Sequence, residues 1–393
     1  MTGAGMQRMV EKVFFALIRF EINGDELCDE MKNLITPEML PALFKLSKRH
    51  DLAHLIGDAL DKNGLLPDGT EAKKRFLQER NMAVYRYEQI QYEFEQICET
   101  LENAKVPFIP LKGSVIRQFY PEPWMRTSCD IDVLVDKSNL EQAKECLVRD
   151  LEYQVEDVES SHDISLYAPS GVHLELHHSL VEEGRAQSSS DILYGVWENV
   201  IESHSYQKEM LDEIFYFYHV AHMAKHFEIG GCGVRPFLDS YLLLHHAQYR
   251  TEACYRLLQQ GRLLTFAKAV EETSNVWFGK METTSLSREI QDYVLYAGMY
   301  ADTENRAAVQ QAKKGGSIQY LWSRIFLPYE QLKLQYPTLE KYKILLPFYQ
   351  VKRWCRLLFG KDSKNVSREL KANVYLQSDK KERIAKLLKD LEL

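Results

Sequence analysis

Leu111-Lys112-Gly113-Ser114 and the later Asp130-Ile131-Asp132-Val133-Leu134-Val135 decide the fold of this chain. In a β-strand, alternate residues project from the same face, so Asp130 and Asp132 lie side by side while the apolar residues of the strand face a core. Two carboxylates so close together repel each other unless a cation lies between them, and Mg²⁺ prefers oxygen ligands. The strand therefore predicts a metal-binding pair; two solvated aspartates at a strand edge are the alternative.

The segment Lys112-Gly113-Ser114 ends a preceding strand and leads into a predicted helix that begins at Ser114. Glycine lets the backbone approach a phosphate, and a helix N-terminus offers unpaired N–H groups and partial positive charge. The Ser114 hydroxyl is a further donor. We expect a triphosphate to bind at this segment, opposite the metals.

A third carboxylate comes from Val172-His173-Leu174-Glu175-Leu176-His177, where polar and apolar residues alternate strictly. This alternation places Glu175 on the polar face of a strand. His173 and His177 share that face, where they could orient Glu175, contact substrate or merely line the sheet. The three carboxylates Asp130, Asp132 and Glu175 are the predicted catalytic and metal-binding set.

The rest of the chain predicts an α+β protein. Period-two segments between residues 105 and 180 predict a small sheet, with strands at 108–111, 130–135, 152–155, 164–168 and 172–177. Helical periodicity precedes and follows it, including one long helix over Glu71–Asn103 and a helix ending near Arg149 that Ser138 or Asn139 could cap. We expect three regions: an N-terminal helical region (1–104), an α/β core (105–182) and a C-terminal helical domain (183–393).

These motifs resemble a known superfamily. The order Gly-Ser, then Asp-x-Asp, then an apolar-flanked acidic residue some forty positions later is similar to polymerase-β-type nucleotidyltransferases. More closely, the chain resembles a bacterial family of uncharacterised nucleotidyltransferases in Leu111-Lys112-Gly113, Tyr120-Pro121, Arg126 and Asp130 to Val135. In that family a histidine follows the acidic strand residue, as in Glu175-Leu176-His177. A downstream helix carries His-x-x-Lys-His, which matches His222-Met223-Ala224-Lys225-His226.

The resemblance implies a polymerase-β-like core flanked by helical regions, with the C-terminal domain closing the nucleotide cleft. It also implies two-metal chemistry in which Asp130 and Asp132 bind two Mg²⁺, with Mn²⁺ as an alternative, and Glu175 completes the site. The expected reaction moves a nucleoside monophosphate from a nucleoside triphosphate, with ATP as the expected donor, to a hydroxyl of an unidentified small molecule or protein. Pyrophosphate is the other product.

Cationic side chains should converge on a bound triphosphate, and the nearest in sequence are Lys112, Arg117 and Arg126. Arg126 has two interpretations of equal weight: a salt bridge to an aspartate, or a phosphate contact. We expect Arg117 to be a solvated helix residue. Arg235 and Asp239, four residues apart on a later helix, predict an intrahelical ion pair.

The histidines His219, His222 and His226 lie at i, i+3 and i+7 of a predicted helix, beside Lys225. We expect Lys225 to contact the triphosphate across the cleft and His222 to shape the nucleotide pocket. A polar seam between helices is the first alternative. A zinc site is the second, although adjacent turns of one helix rarely supply three ligands.

Two other function classes remain open: a non-catalytic nucleotide- or partner-binding protein on the same scaffold, and a metal-dependent hydrolase that uses the histidines. A formal net charge of −8 and a pI near 5.9 disfavour nucleic acid and anionic membranes as partners. Seven scattered cysteines without a C-x-x-C pair predict reduced thiols. The apolar patch Val13–Ile18 is too short for a secretory signal or a membrane span, so the expected location is cytoplasmic.

Overall fold

The computed structural model of the chain describes residues 3–156, 162–181, 189–201, 205–297, 338–359 and 378–393, with single residues and short runs between 309 and 336. Two compact units are present: Met1–His222 with Val234–Ser287, and Met223–Gly233 with Arg288–Leu393. The three-region division predicted from the sequence stays a prediction.

Helices precede the sheet in the first unit: α1 (Gly3–Asn23), α2 (Asp29–Leu34), α3 (Leu40–Arg49), α4 (Ala53–Lys62) and α5 (Glu71–Asn103). The bounds of α5 are those predicted. Thr70 caps its start by accepting a hydrogen bond from the Lys73 N–H at 3.3 Å, and neither glycine nor proline interrupts the helix before Asn103. Buried residues of α5 pack into the core beneath the sheet: Ile90, Ile97 and Leu101.

The central sheet has five strands in the order β1-β2-β5-β4-β3. They are β1 (Phe108–Pro110), β2 (Asp130–Val135), β3 (Gln154–Val155), β4 (Asp163–Tyr167) and β5 (His173–His177). Strands β2 and β5 are parallel, and all other neighbours are antiparallel. Gly171 closes the predicted β4–β5 turn with φ +86°, in the left-handed region that favours glycine. The predicted α+β class, a small mixed sheet with helices around it, is confirmed.

One face of the sheet packs against the apolar core. Ile131 and Val133 of β2 and Leu174 and Leu176 of β5 are fully buried in the core. Because side chains alternate along each strand, the carboxylates of β2 and β5 are directed to the opposite face. The core therefore fixes the face on which the polar site forms.

Short elements connect the strands. The helix predicted at Ser114 begins one residue earlier and is only four residues long, α6 (Gly113–Ile116), before 3₁₀ turns at Arg117–Phe119 and Pro123–Met125. A third 3₁₀ turn (Lys137–Asn139) leads into α7 (Leu140–Leu151). Asn139 is the N-cap residue of α7, one of the two predicted, but its side chain makes no cap bond. The Asp136 side chain accepts a hydrogen bond from the Ser138 N–H at 2.8 Å.

The chain continues mainly as helices. Two short antiparallel strands interrupt the region predicted to be helical throughout, β6 (Val200–Ile201) and β7 (Glu209–Met210). The other elements are α8 (Ser190–Tyr194), α9 (Asp212–Glu228), α10 (Val234–Leu243), α11 (Glu252–Gln260), α12 (Leu264–Phe278), α13 (Ser285–Ala297), α14 (Thr338–Lys341), α15 (Leu346–Phe359) and α16 (Ser378–Asp390), with 3₁₀ turns at Val196–Glu198, Ala247–Arg250 and Lys343–Leu345. Within the described ranges, none of the helices combines the length and the apolar character needed to cross a membrane.

Candidate active site

Parallel pairing of β2 with β5 brings the three predicted carboxylates together. Asp132 lies directly opposite Glu175, and Asp130 lies opposite His173. Potential ligand atoms of Asp130, His173 and Glu175 all lie within 4.8 Å of one another, and so do those of Asp132, Glu175 and His177. Glu175 belongs to both groups, so the sheet holds two adjacent clusters of metal-ligating side chains.

Asp132 is the most enclosed of the three, at 4 % exposure. The Lys112 ammonium donates to its Oδ1 at 2.6 Å, and His177 Nε2 lies 3.0 Å from the same oxygen. Burial alone would raise the pKa of Asp132, but Lys112 and His177 hold that pKa well below its usual range. Asp132 is therefore an ionised carboxylate at neutral pH.

The surroundings of Asp130 shift its pKa in the opposite direction to that of Asp132. Burial, and then the negative charges of Asp132 and Glu175, raise the pKa of Asp130 above its ordinary value. Carboxylates in this arrangement repel one another, and a cation among them relieves the repulsion. The site has the charge that a divalent cation requires.

The two histidines of β5 flank Glu175 on the same face. His177 Nε2 lies 3.3 Å from Glu175 Oε2. Burial would lower the pKa of His177, but hydrogen bonds to Asp132 and Glu175 raise it overall. The Tyr167 ring stacks on His173 with centroids 4.7 Å apart. His177 therefore contacts two of the three carboxylates, Asp132 and Glu175.

Lys112 has an unusual backbone, with φ +40° and ψ −109°. A non-glycine residue in this region is uncommon and is held there by its surroundings. Here the side chain reaches Asp132, since Leu111 N–H bonds to the Asp132 carbonyl at 3.0 Å and ties the turn to β2. Burial would lower the pKa of Lys112, but Tyr218 and Asp132 keep it above its usual value.

The turn at Gly113 differs from the predicted phosphate cradle. The N–H groups of Ser114 and Val115 donate to the carbonyls of Leu111 and Lys112, both at 3.2 Å. Those two N–H groups are occupied, and α6 has only four residues. The N-terminus of α6 therefore offers a phosphate fewer free donors and less partial positive charge than a long helix would. The nucleotide contacts of Gly113 and Ser114 stay predictions, with the Ser114 hydroxyl as the donor.

Gly113 packs closely against a neighbouring side chain. A Cβ at this position would lie 2.8 Å from Arg126 Nη1 and 3.4 Å from Ser128 Cβ. A larger residue would therefore require the Arg126 guanidinium to shift. The glycine therefore serves the packing of the site's two loops.

Arg126 forms a buried salt bridge, the first of its two interpretations, and its partner is Asp239 of α10. Nε and Nη2 bond to the two carboxylate oxygens at 3.0 Å each, and Tyr120 donates to Asp239 Oδ1 at 2.7 Å. A nucleotide contact by Arg126 stays a prediction. The expected Arg235–Asp239 pair is wrong: Arg235 Nη1 lies 3.1 Å from Asp51 Oδ2.

Arg117 is not a solvated helix residue, because it is only 5 % exposed. Its Nε donates to the Gly113 carbonyl at 2.8 Å and its Nη2 to Ser128 Oγ at 3.0 Å. Burial, and then the charge of Arg126, lower its pKa to about 10. Arg117 joins the turn at Gly113 to the loop before β2.

Helix α9 adds a residue that the sequence did not indicate. Tyr218 is buried, and its pKa is raised mainly by burial, with Asp132 and Glu175 acting in the same direction and Lys112 against it. The centroids of the His222 and Tyr218 rings are 6.2 Å apart. Tyrosine is common in buried helix faces, so no sequence pattern distinguishes this one.

The histidines predicted to lie along one side of α9 do not form a single site in the described part of the chain. His219 is buried against Ser240 Oγ at 2.8 Å, and burial lowers its pKa to about 4. Lys225 is half-buried and lies in the segment Met223–Gly233 of the second unit. Among the residues that the structure describes, the groups able to hold a metal include none of His219, His222 and His226. The proposed contacts of His222 and Lys225 with nucleotide stay predictions.

A comparison with protein families finds a match to a model described as "Uncharacterised nucleotidyltransferase" over residues 37–279. The matched region runs from α3 to α12 and contains the whole sheet and the carboxylate site. Comparisons with curated proteins and with solved structures give no match. Since the family model covers more than half of the chain, the protein belongs to the uncharacterised nucleotidyltransferase family and is a nucleotidyltransferase.

Proposed function

We propose that the protein transfers a nucleoside monophosphate from ATP to a hydroxyl of a small molecule or protein in a Mg²⁺-dependent reaction that releases pyrophosphate. The observation that carries this proposal is the pairing of Asp132 with Glu175 across parallel strands, with Asp130 on the same face. Carboxylates grouped in this way at the polar face of a sheet suit divalent cations.

The donor set fits the metal. Asp130, Asp132 and Glu175 offer hard oxygen ligands in two groups that share Glu175. Burial, and then the negative charges of Asp132 and Glu175, raise the pKa of Asp130. When bound, divalent ions supply positive charge to the attacking and leaving oxygens of the transferred phosphoryl group. Mn²⁺ suits the same ligands.

The remaining step, removal of the proton from the acceptor hydroxyl, is assigned to a residue of the protein. The Glu175 side chain is 28 % exposed and that of Asp132 only 5 %, so Glu175 is more accessible to an incoming acceptor than Asp132 is. We assign it the acceptor's hydroxyl proton as general base. The freed oxygen forms the new bond to the α-phosphorus while the bond to pyrophosphate breaks.

Nucleotide binding is assigned to residues near the sheet and to residues of α9. On the sheet side, Lys112 places a positive charge beside Asp132, and Ser114 offers a hydroxyl to a phosphate oxygen. On α9, His222 is assigned to the nucleotide pocket and Lys225 to the triphosphate. The proximity of His222 to Tyr218, whose hydroxyl interacts with the charges of the site, supports this part of the proposal.

Calorimetry tests the proposal directly. ATP with Mg²⁺ is titrated into wild-type protein and into the double variant Asp130→Ala/Asp132→Ala. Asp150→Ala is the matched control, since Asp150 is an exposed carboxylate on α7 paired with Arg149. We expect binding by wild type and control and a loss of at least about 100-fold in the double variant, because two metal ligands are removed. Equal heats from all three proteins would overturn the proposal.

A second measurement distinguishes an enzyme from a binding protein on the same scaffold. Pyrophosphate release from each of the four nucleoside triphosphates is followed against a panel of small-molecule alcohols and proteins. We expect acceptor-dependent release, highest with ATP, that Glu175→Gln abolishes. Tight Mg·ATP binding with no release against any acceptor would favour the non-catalytic alternative.

A further inference from the structure

A further group of metal-ligating side chains lies where β4 begins and β5 ends. Asp163 is opposite His177 in the β4–β5 register, and His162 immediately precedes it. Potential ligand atoms of His162, Asp163 and His177 all lie within 4.8 Å of one another. The two imidazole rings have centroids 5.8 Å apart. This group is formed by two imidazoles and one carboxylate, unlike the oxygen-rich set of the carboxylate site.

The two ring nitrogens of His177 differ in their hydrogen bonding. Nε2 contacts Asp132 Oδ1 at 3.0 Å. Nδ1 is buried and has no hydrogen-bond partner among the described residues, in a side chain that is 6 % exposed. A buried polar atom without a partner costs about 1–3 kcal/mol. Histidines that bind a metal through one nitrogen usually donate the other N–H to a carboxylate. His177, with its bond to Asp132, has that arrangement.

The distance between His162 and Asp163 suits two ligands of one tetrahedral ion. Zinc bonds to nitrogen and oxygen are about 2.0–2.1 Å, and tetrahedral angles then separate neighbouring ligand atoms by roughly 3.3 Å. His162 Nε2 and Asp163 Oδ1 are 3.2 Å apart. Two histidines and one carboxylate form a donor set that favours zinc and similar transition ions over magnesium.

We propose that His162, Asp163 and His177 bind Zn²⁺ or a similar divalent transition ion, with His177 binding through Nδ1. The bound ion fixes the His177 ring, and the ring in turn holds Asp132 and Glu175 through Nε2. This metal site is additional to the carboxylate site and does not depend on nucleotidyl transfer being the reaction.

Cobalt binding tests the proposal, because tetrahedral Co²⁺ with nitrogen ligands absorbs visible light strongly. Metal-free full-length protein is titrated with Co²⁺ alone. We expect one tetrahedral Co²⁺ per wild-type chain and a loss of at least about 100-fold in affinity for His162→Ala. The matched control is His178→Ala, since His178 adjoins His177 but belongs to none of the ligand groups in the described residues. It should bind like wild type.

Two further measurements separate this site from the carboxylate site and from a general loss of the fold. Millimolar Mg²⁺ should leave the cobalt spectrum unchanged, whereas it would displace Co²⁺ from an oxygen-rich carboxylate site. Far-UV circular dichroism and His162→Gln, which keeps a polar side chain, distinguish a lost ligand from a lost fold. A cobalt spectrum that survives in folded His162→Ala, or that Mg²⁺ abolishes, would overturn the proposal, as would wild-type protein that forms no tetrahedral complex.

Discussion

Asp239→Asn tests the buried pair that ties the loop before β2 to α10. The side chains of Arg126 and Asp239 are only 8 % and 3 % exposed, and two hydrogen bonds of 3.0 Å join them. Asparagine keeps the shape of the side chain but removes its charge, which leaves a buried guanidinium beside Arg117. Breaking one side of a buried ion pair costs about 3–5 kcal/mol, and we expect that loss in the free energy of unfolding.

Urea denaturation at pH 7, followed by far-UV circular dichroism, measures the change. Arg126→Met and the double variant complete a thermodynamic cycle, in which we expect a coupling energy of about 2 kcal/mol or more. Asp150→Asn is the control, because its pair with Arg149 is exposed and contributes little. A loss below about 1 kcal/mol in Asp239→Asn, or additive effects in the double variant, would refute the assignment of a strong buried pair.

A second double variant, with leucine in place of Asp239, distinguishes the two interpretations of Arg126. If Arg126 acts through Asp239 alone, the double variant Arg126→Met/Asp239→Leu should fold and bind Mg·ATP within about threefold of wild type, a difference below about 1 kcal/mol. If Arg126 contacts a phosphate, the double variant should lose affinity by at least about tenfold even though it is folded, because a charged hydrogen bond is missing.

Two further predictions concern charge. Burial lowers the pKa of His219 from 6.5 to about 4, so the unfolded chain binds a proton more readily between these pH values and stability falls as the pH drops from 6.5 to 4. The loss should reach about 3 kcal/mol in urea titrations; a His219→Gln variant that keeps the full wild-type pH slope would contradict this origin. Lys112→Met should raise the affinity for Mg²⁺ alone at least about tenfold, because a positive charge 2.6 Å from Asp132 Oδ1 opposes a second cation there. It should also weaken Mg·ATP binding, and calorimetry showing weaker binding of Mg²⁺ alone would disprove the competition.

Features set by local periodicity could be predicted from the sequence. The bounds of β2 and α5 agree with their patterns, because alternation of apolar residues and a long run without glycine or proline are properties of short segments. The same alternation places Asp130 and Asp132 on one face and Glu175 on the polar face of its own strand. The acidic residues of the candidate site were therefore identifiable before any fold was known.

Partner choice for the arginines could not be predicted. Arg126 and Asp239 are 113 residues apart, and the chain contains 57 acidic residues, so no spacing identifies the pair. Arg117 has the spacing of an exposed helix residue, but the short α6 and the loop at Ser128 bury it. Burial of a charged side chain depends on the residues that pack against it. Those residues come from other parts of the chain, so a single segment does not reveal them.

The sequence by itself determined which side chains carry the chemistry and which face of its strand each one occupies, because side-chain direction repeats every two residues along a strand. Only the tertiary structure decided that Asp132 lies opposite Glu175 and that His177 joins two groups of metal ligands. Strand order and register arise because the apolar faces of β2 and β5, which are distant in sequence, pack into the same core. A shift of one residue would have moved every carboxylate of one strand into the core.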